Sequence, residues 1–228
     1  MLQSSENLGF VVLAISIAGI AYLVGSVSPA YIVVRRRLGR DVRQLGDGNP
    51  GSENVGRLIG IKPAIVVAAI DIAKGLVAVA LARALSPAVF GELANNLPIH
   101  PEGYRQGVML LAGAAAVVGH RWPAYLKGSG GKGAATATGV LLGIATFPAL
   151  LVALPAFVLM CIFRSTTWGL ASFFIGTVAV AIVLGYYGHF GYSLAWVAWI
   201  AAIPALVGVI HMMSARKSVG RLSAIGEK

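Results

Sequence analysis

Residues Gly139–Phe163 read GVLLGIATFPALLVALPAFVLMCIF, an apolar run interrupted only by Pro148 and Pro155. As one helix it would cross a bilayer once, since a span needs about 20 apolar residues. As two short helices, or a re-entrant pair, it changes the parity of the whole chain. Proline lacks a backbone donor and its ring meets the carbonyl four residues back. A break near Pro148 therefore competes with a single kinked span, which membrane helices tolerate. Charge separates the two. The stretch RRRLGRDVRQLGDGNPGSENVGR (Arg35–Arg57) and the tail opening HMMSARK (His211–Lys217) are both basic. Basic loops collect on the cytoplasmic side. Bringing these two and Lys127–Lys132 to one side requires an odd number of crossings. The expectation is therefore a break within Gly139–Phe163 and about seven membrane helices, N-terminus outside and C-terminus cytoplasmic.

Composition points the same way. Of 228 residues, 57% are hydrophobic and 11% charged, yet the formal net charge is +10. A soluble domain of this length has no means of hiding so much apolar surface. The other apolar segments are Gly9–Val34, Leu58–Leu85, Gln106–Leu126, Gly169–Gly185 and Ser193–Ile210. No linker, repeat or soluble domain is visible, so residues 1–228 read as a single all-α integral membrane unit. The N-terminal run has no basic flank or cleavage site and reads as a retained helix. Nucleic-acid binding through RRRLGR is disfavoured, because arginines without interleaved aromatics serve more simply as topology signals. Four histidines and one cysteine, Cys161, show no metal-ligand spacing.

The polar stretches carry the chemistry. GDGNPGSEN (Gly46–Asn54) is turn-rich, and Gly46, Gly48 and Gly51 allow backbone amides to approach an anion. Upstream, Arg43 offers a forked donor suited to phosphate. GSGGKG (Gly128–Gly133) pairs the glycines Gly130, Gly131 and Gly133 with Lys132 and runs into the helix-forming AATATG, a natural phosphate site. It is no nucleotide-binding P-loop, since Leu126 and Gly133 stand where that pattern needs Gly and Ser or Thr. His120 is either a substrate contact or a histidine fixed at a helix end. Trp122 and Tyr125 read as interfacial anchors. Asp71 and Lys74, three apart in DIAKG, share a helix face and read as a structural ion pair supporting the site. His211 is the best-placed proton-transfer group. A transporter of a phosphorylated metabolite is the rival reading, prompted by the intramembrane charges and the break at Pro148. Against it, the polar signals gather at one end instead of mid-membrane.

Taken together, these motifs resemble the bacterial membrane acyl-phosphate:glycerol-3-phosphate acyltransferases. GSVSPAYIVVRRRLGRDVRQLGDGNPGSENVGR is similar to the first family motif, DIAKG to its Asp-x-x-Lys-Gly, and GHRWPAYLKGSGGKGAAT to the second motif. RSTTW (Arg164–Trp168) and His211 fall at the later family positions. The resemblance implies acyl transfer from acyl phosphate to the 1-hydroxyl of glycerol 3-phosphate, in a bacterial plasma membrane, with no metal or coenzyme. Ser26, Arg43, Lys132 and His211 are then implied at the reaction centre. Gly46, Gly48, Asn49, Gly51, Asn54, His120, Gly130, Gly131, Gly133, Thr167 and Ser214 are implied around the phosphates, with Asp71, Lys74 and Glu227 in support. The proton acceptor is His211 or a substrate phosphate oxygen. The chain departs from the family pattern at Asp47 (Ser in the family), Glu53 (neutral), Ser129 (basic) and HMMS, His211–Ser214, where the family has His-Arg-Glu-Asn. A paralogue with another acyl acceptor is the variant reading these departures leave open.

Overall fold

The computed structural model describes residues 2–90, 101–189 and 193–226, and among these it contains helices and no strand. In chain order they are α1 (Leu2–Ser26), α2 (Pro29–Leu38), α3 (Ser52–Ile59), α4 (Ile61–Phe90), α5 (Pro101–Arg121), α6 (Ala134–Ile144), α7 (Thr146–Ile162), α8 (Thr166–Tyr186) and α9 (Leu194–Gly226). Glu227, expected in support of the site, lies outside the described residues. Single 3-10 turns at Val42–Gln44 and Ala124–Leu126 interrupt the connections after α2 and α5.

Among the described residues, four stretches are long and apolar enough to cross a membrane: Val11–Leu38, Ile61–Leu85, Thr166–Tyr186 and Ala195–Ser214. Helices α6 and α7 are apolar but shorter. Large side chains along the bundle, such as Ile15, Leu154 and Ile175, face outward, while Ala82, Ala112, Ala116 and Ala137 are fully buried. Lipid tails are as apolar as leucine, so outward leucines and isoleucines lose nothing, and helix association rests on close packing of small residues.

The stretch that decides the count divides in two. Helix α6 ends at Ile144 and α7 starts at Thr146, with Ala145 between them at φ −133°, ψ 51°. Pro148 does not mark the break itself but sits in the first turn of α7. Its missing N–H leaves the Ile144 carbonyl without a helical partner, and its ring fills that space. The ladder therefore stops on one side, with Ala145 N–H donating to Leu141 O at 2.8 Å. It restarts on the other, with Ala149 N–H donating to Ala145 O at 2.9 Å. Pro155 lies inside α7 without ending it.

Two further boundaries escape a hydropathy reading. Gly9–Val34 is interrupted at Val27–Ser28, where Ser28 Oγ accepts from Tyr31 N–H at 3.3 Å and Pro29 opens α2. The last apolar segment continues as one helix through His211 to Gly226, so His211 is a helical residue and not the start of a loose tail.

Glycines set the two closest crossings. Gly25 and Gly119 let α1 meet α5, and Gly75 and Gly139 let α4 meet α6; a Cβ at any of them would overlap a backbone carbonyl of the neighbouring helix. The crossings fix the C-terminal ends of α1 and α5 and the start of α6 beside one another. Gly139→Ala is expected to force α4 from α6 and destabilise the fold by about 1–3 kcal/mol. Gly19, by contrast, faces open space. Melting of detergent-purified protein checks this: a Gly139→Ala variant melting with the wild type and with Gly19→Ala would refute the crossing.

Candidate active site

The floor of the site is a buried charged cluster. Lys74 Nζ lies 2.8 Å from Asp71 Oδ1 and also donates to Val27 O at 2.9 Å. Val27 is where α1 ends, so the ammonium meets a carbonyl left without a helical partner, at the negative end of the helix dipole. His120 Nδ1 lies 3.1 Å from Thr136 Oγ1 and 3.4 Å from Asp71 Oδ1. The ring's other nitrogen packs on Gly131, where any Cβ would overlap Nε2. Both edges of His120 are thus engaged by the protein, joining α5, α4 and the start of α6.

The first polar loop folds on itself. Asn54, fully buried, donates from Nδ2 to Leu45 O at 3.0 Å and accepts at Oδ1 from Asp47 N–H at 3.3 Å. Gly46 (φ 58°) passes so close to the Asn54 amide that a side chain would collide with it. Asn49 N–H donates to Asp47 Oδ1 at 2.9 Å, and Gly51 N–H to Asn49 O at 2.9 Å. Arg43 presents Nε and Nη2 to the Asp41 carboxylate at 2.6–3.0 Å, while Nη1 donates to Leu126 O at 2.8 Å. Its guanidinium also lies over the Tyr31 ring, 5.8 Å from the centroid. The Arg43 hydrogen bond, followed by its charge, holds the Asp41 carboxyl below the usual carboxylate range against the opposing effect of burial. Arg43 is therefore a clamp between the first and second polar loops.

The second loop is built differently. Gly130 N–H donates to Arg121 O at 3.0 Å, and Lys127 and Gly128 both take left-handed backbone to turn the chain. Beyond them, nothing among the described residues accepts from the N–H groups of Gly131, Lys132 and Gly133. Gly131 and Gly133 are themselves buried, and buried donors without partners mark a place prepared for a ligand or water. These amides lead directly into the N-terminus of α6, so the helix dipole adds to their attraction for an anion. Lys132 stands close enough to His211 on α9 for the two to interact electrostatically.

Ser26 is fully buried. Its Oγ donates to Tyr22 O at 2.8 Å and accepts from Ala124 N–H at 3.3 Å. Tyr22 Oη donates to Trp122 O at 2.7 Å, so the end of α1 is sewn to the chain after α5. Thr167 is exposed, and its neighbour Thr166 makes the contact, donating to Glu53 Oε2 at 3.2 Å. Ser214 Oγ turns back to Ile210 O at 2.8 Å. Sequence reasoning missed Tyr22, Thr136 and Thr166, whose contacts span distant parts of the chain. It also missed Arg57, which pairs with Asp47 at 3.0 Å and with Glu53. The Glu53–Arg57 spacing of four residues on α3 was the available signal.

Residues 15–224 match the family described as Glycerol-3-phosphate acyltransferase. A glycerol-3-phosphate acyltransferase of Shouchella clausii is 36% identical over 163 residues, covering 72% of each chain. One of Halalkalibacterium halodurans is 39% identical over 131 residues, 58% of this chain and 56% of its own. The crystal structure of PlsY (YgiH), an integral membrane glycerol 3-phosphate acyltransferase, in its glycerol 3-phosphate form superposes with a TM-score of 0.63. Identity there is 25%, and the match covers 92% of both chains. The fold is that of a multi-pass helical membrane protein.

Removing one partner of a buried ion pair strands the other, at a cost of about 3–5 kcal/mol. Lys74→Met alone is thus expected to lower the melting temperature sharply, and Asp71→Asn combined with Lys74→Met to recover much of it. Equal melting of the single and double variants would disprove the coupling. Because the Asp41 carboxyl is depressed in the fold, its contribution is present above the ordinary carboxylate value of about 3.9 and is lost as pH falls through the folded value. Asp41→Asn should therefore flatten the acid limb of a melting-versus-pH curve; an unchanged limb would exclude Asp41 as its source.

Proposed function

The chain belongs to the glycerol-3-phosphate acyltransferase family, and we propose that it moves a fatty acyl group from acyl phosphate to the 1-hydroxyl of glycerol 3-phosphate. The products are lysophosphatidic acid and phosphate, made in the bacterial plasma membrane for phospholipid synthesis. The observation that carries this reading is convergence. Arg43 joins the first loop to the second, Glu53 and Thr166 join the first loop to the start of α8, and Lys132 lies within electrostatic range of His211 on α9. Four stretches far apart in sequence are thereby drawn towards one another.

In this reading residues 1–228 are one unit, and α1 and α4 to α9 are about seven crossings, with the N-terminus outside and the polar loops cytoplasmic. The site then lies where water meets lipid, reachable by a soluble phosphate and by an acyl chain held in the bilayer. The glycerol hydroxyl attacks the acyl carbonyl carbon. A new carbon–oxygen ester bond forms, the bond to the phosphate oxygen breaks, and phosphate leaves with the bonding electrons. Phosphate is a good leaving group, so no acyl-enzyme is needed. Lys132 and the Gly130–Gly133 amides stabilise the oxyanion and the departing phosphate, which is the largest kind of catalytic contribution a rigid polar site makes. Gly46, Gly48, Asn49, Gly51 and Asn54 shape the facing loop, with Thr167 and Ser214 at its margins. His120 holds Gly131 in place, and Ser26 and Arg43 hold the loops together. The proton of the hydroxyl passes to His211 or to a substrate phosphate oxygen.

An assay offering acyl phosphate, acyl-coenzyme A and acyl-carrier protein as rival donors tests the proposal. Lysophosphatidic acid is expected from acyl phosphate and only with glycerol 3-phosphate present. Flux of glycerol phosphate across liposomes without conversion would instead establish a transporter. Lys132→Ala is expected to lower kcat/KM by about a hundredfold or more while the protein inserts and melts normally; full activity would remove Lys132 from the site. A pH–rate profile of His211→Ala separates the two proton acceptors, the limb set by protonation of the imidazole at low pH disappearing only where His211 serves.

A further inference from the structure

Gly130 is held at both of its backbone groups by one residue. Its N–H donates to Arg121 O at 3.0 Å, and its carbonyl accepts from Arg121 Nη1 at 3.3 Å. A side chain has no room there, since a Cβ on Gly130 would overlap the carbonyls of His120 and Arg121. The guanidinium lies over the Trp122 ring, 5.5 Å from its centroid, and Trp122 is tied to α1 through the bond from Tyr22 Oη to its carbonyl. No carboxylate among the described residues pairs with Arg121, and its Nε is buried without a partner there. The Gly130 carbonyl is thus the hydrogen-bond acceptor on which this side chain is set.

That bond has a consequence one atom further along the chain. A peptide group is planar, and in the trans form its C=O and N–H point in opposite directions. Holding the Gly130 carbonyl on Arg121 therefore turns the Gly131 N–H away from Arg121. This N–H is the first of the three amides that find no acceptor among the described residues. Glycine stands on both sides of the peptide, with no Cβ to bar the flipped plane, so the plane needs an external hold. A cation on the carbonyl also polarises the peptide and strengthens the N–H on its far side as a donor.

We infer that Arg121 is a positioning residue: through the Gly130 carbonyl it points the Gly131 amide at a substrate phosphate bound before α6. The inference rests on the acyltransferase reading and deepens it, by naming what orders the open amides. Arg121 itself need not touch the phosphate.

Gly130–Gly131 is the single Gly–Gly pair in the sequence. Protein grown on glycine labelled with carbonyl 13C and with 15N consequently carries one bonded 13C–15N pair at a Gly–Gly peptide, and its amide proton reports on Gly131 alone. The full-length protein in detergent is titrated with inorganic phosphate and with glycerol 3-phosphate, by this resonance and by calorimetry, and KM is measured for both acyl-transfer substrates. In the wild type, phosphate is expected to shift the Gly131 amide proton. Arg121→Met, which keeps an apolar stem against Trp122 but no donor, is expected to lose that shift. It should bind phosphate about tenfold more weakly, the size of one charge-assisted contact, with KM rising more than kcat falls. Arg121→Lys, which retains a charged donor for the carbonyl, should recover most of both. A rise confined to the KM for glycerol 3-phosphate assigns the amide to the acceptor, and one confined to acyl phosphate assigns it to the donor. Arg121→Gln replaces the methionine variant should that one fold poorly. A wild-type resonance that phosphate leaves in place, or wild-type affinity in Arg121→Met, overturns the inference. Loss of fold in both the Met and Gln variants does so too, and leaves Arg121 a packing residue on Trp122. The two readings fail separately. Phosphate binding that depends on Arg121 in protein that never forms lysophosphatidic acid would retain this inference and sink the acyltransferase; a wild type that transfers acyl groups while Arg121→Met binds equally well would sink the inference alone.

Discussion

Lys74 and Asp71 lie beneath the polar loops, where neither charge reaches bulk water, and their mutual satisfaction governs the packing above them. The ammonium needs more than one acceptor, and it finds the second at the carbonyl of Val27, where α1 gives way to α2. The carboxylate faces His120 as well as Lys74, and Thr136 completes the ring's environment from the first turn of α6. A buried charge without partners would cost several kcal/mol, so α1, α4, α5 and α6 are not free to slide past one another. Glycine at the helix crossings makes this affordable in space, since the backbones must approach closely before these short polar reaches can be spanned.

From that floor the electrostatics of the polar face follow. His120 holds Gly131, and Gly131 begins the run of unpaired amides that opens α6. The positive end of a helix is most useful when nothing in the protein already satisfies it. Here the positive charge of Lys132 is added at the same point, with His211 close by. The first loop has the opposite character, its donors committed to Asn54, Asp47 and its own carbonyls. One face thus carries a run of open amides beside a loop whose donors are already taken.

Much of this was legible from residue types because it depends on local rules. Hydrophobic length marked the four long apolar stretches found among the described residues, proline marked the division of Gly139–Phe163, and the three-residue spacing of Asp71 and Lys74 marked their pair. The position of the break was offset by three residues because proline disturbs the carbonyl four positions before it, not its own place in the chain. Ser28 as a cap was invisible to hydropathy, which weighs side chains without asking what their hydroxyls bond. Arg43 looked like a free phosphate ligand, and in sequence nothing shows that Asp41 and the carbonyl of Leu126 occupy its fork. Tyr22, Thr136 and Thr166 were unreadable for the same reason, since each meaning lies in a partner brought near only by folding.

The altered stretch His211–Met212–Met213–Ser214 shows how such non-local meaning can survive a change of residues. Read as a loop, HMMS loses the polar side chains that the family places after its histidine. Within α9, however, positions 211 and 214 lie about one turn apart on one face. Met212 and Met213 are 60% and 47% exposed, on the outward side, while His211 and Ser214 are partly buried. The two methionines thus occupy the side that faces away from the neighbouring helices, where a flexible apolar side chain is well suited to lipid. The inward face keeps an imidazole and a hydroxyl. Ser214 spends its proton on Ile210 O, which leaves its oxygen lone pairs as acceptors and not a donor at this position. The departure from the family pattern therefore falls on both sides of α9, with Met212 and Met213 on the outward face and Ser214 on the inward one, where its hydroxyl is returned to its own helix.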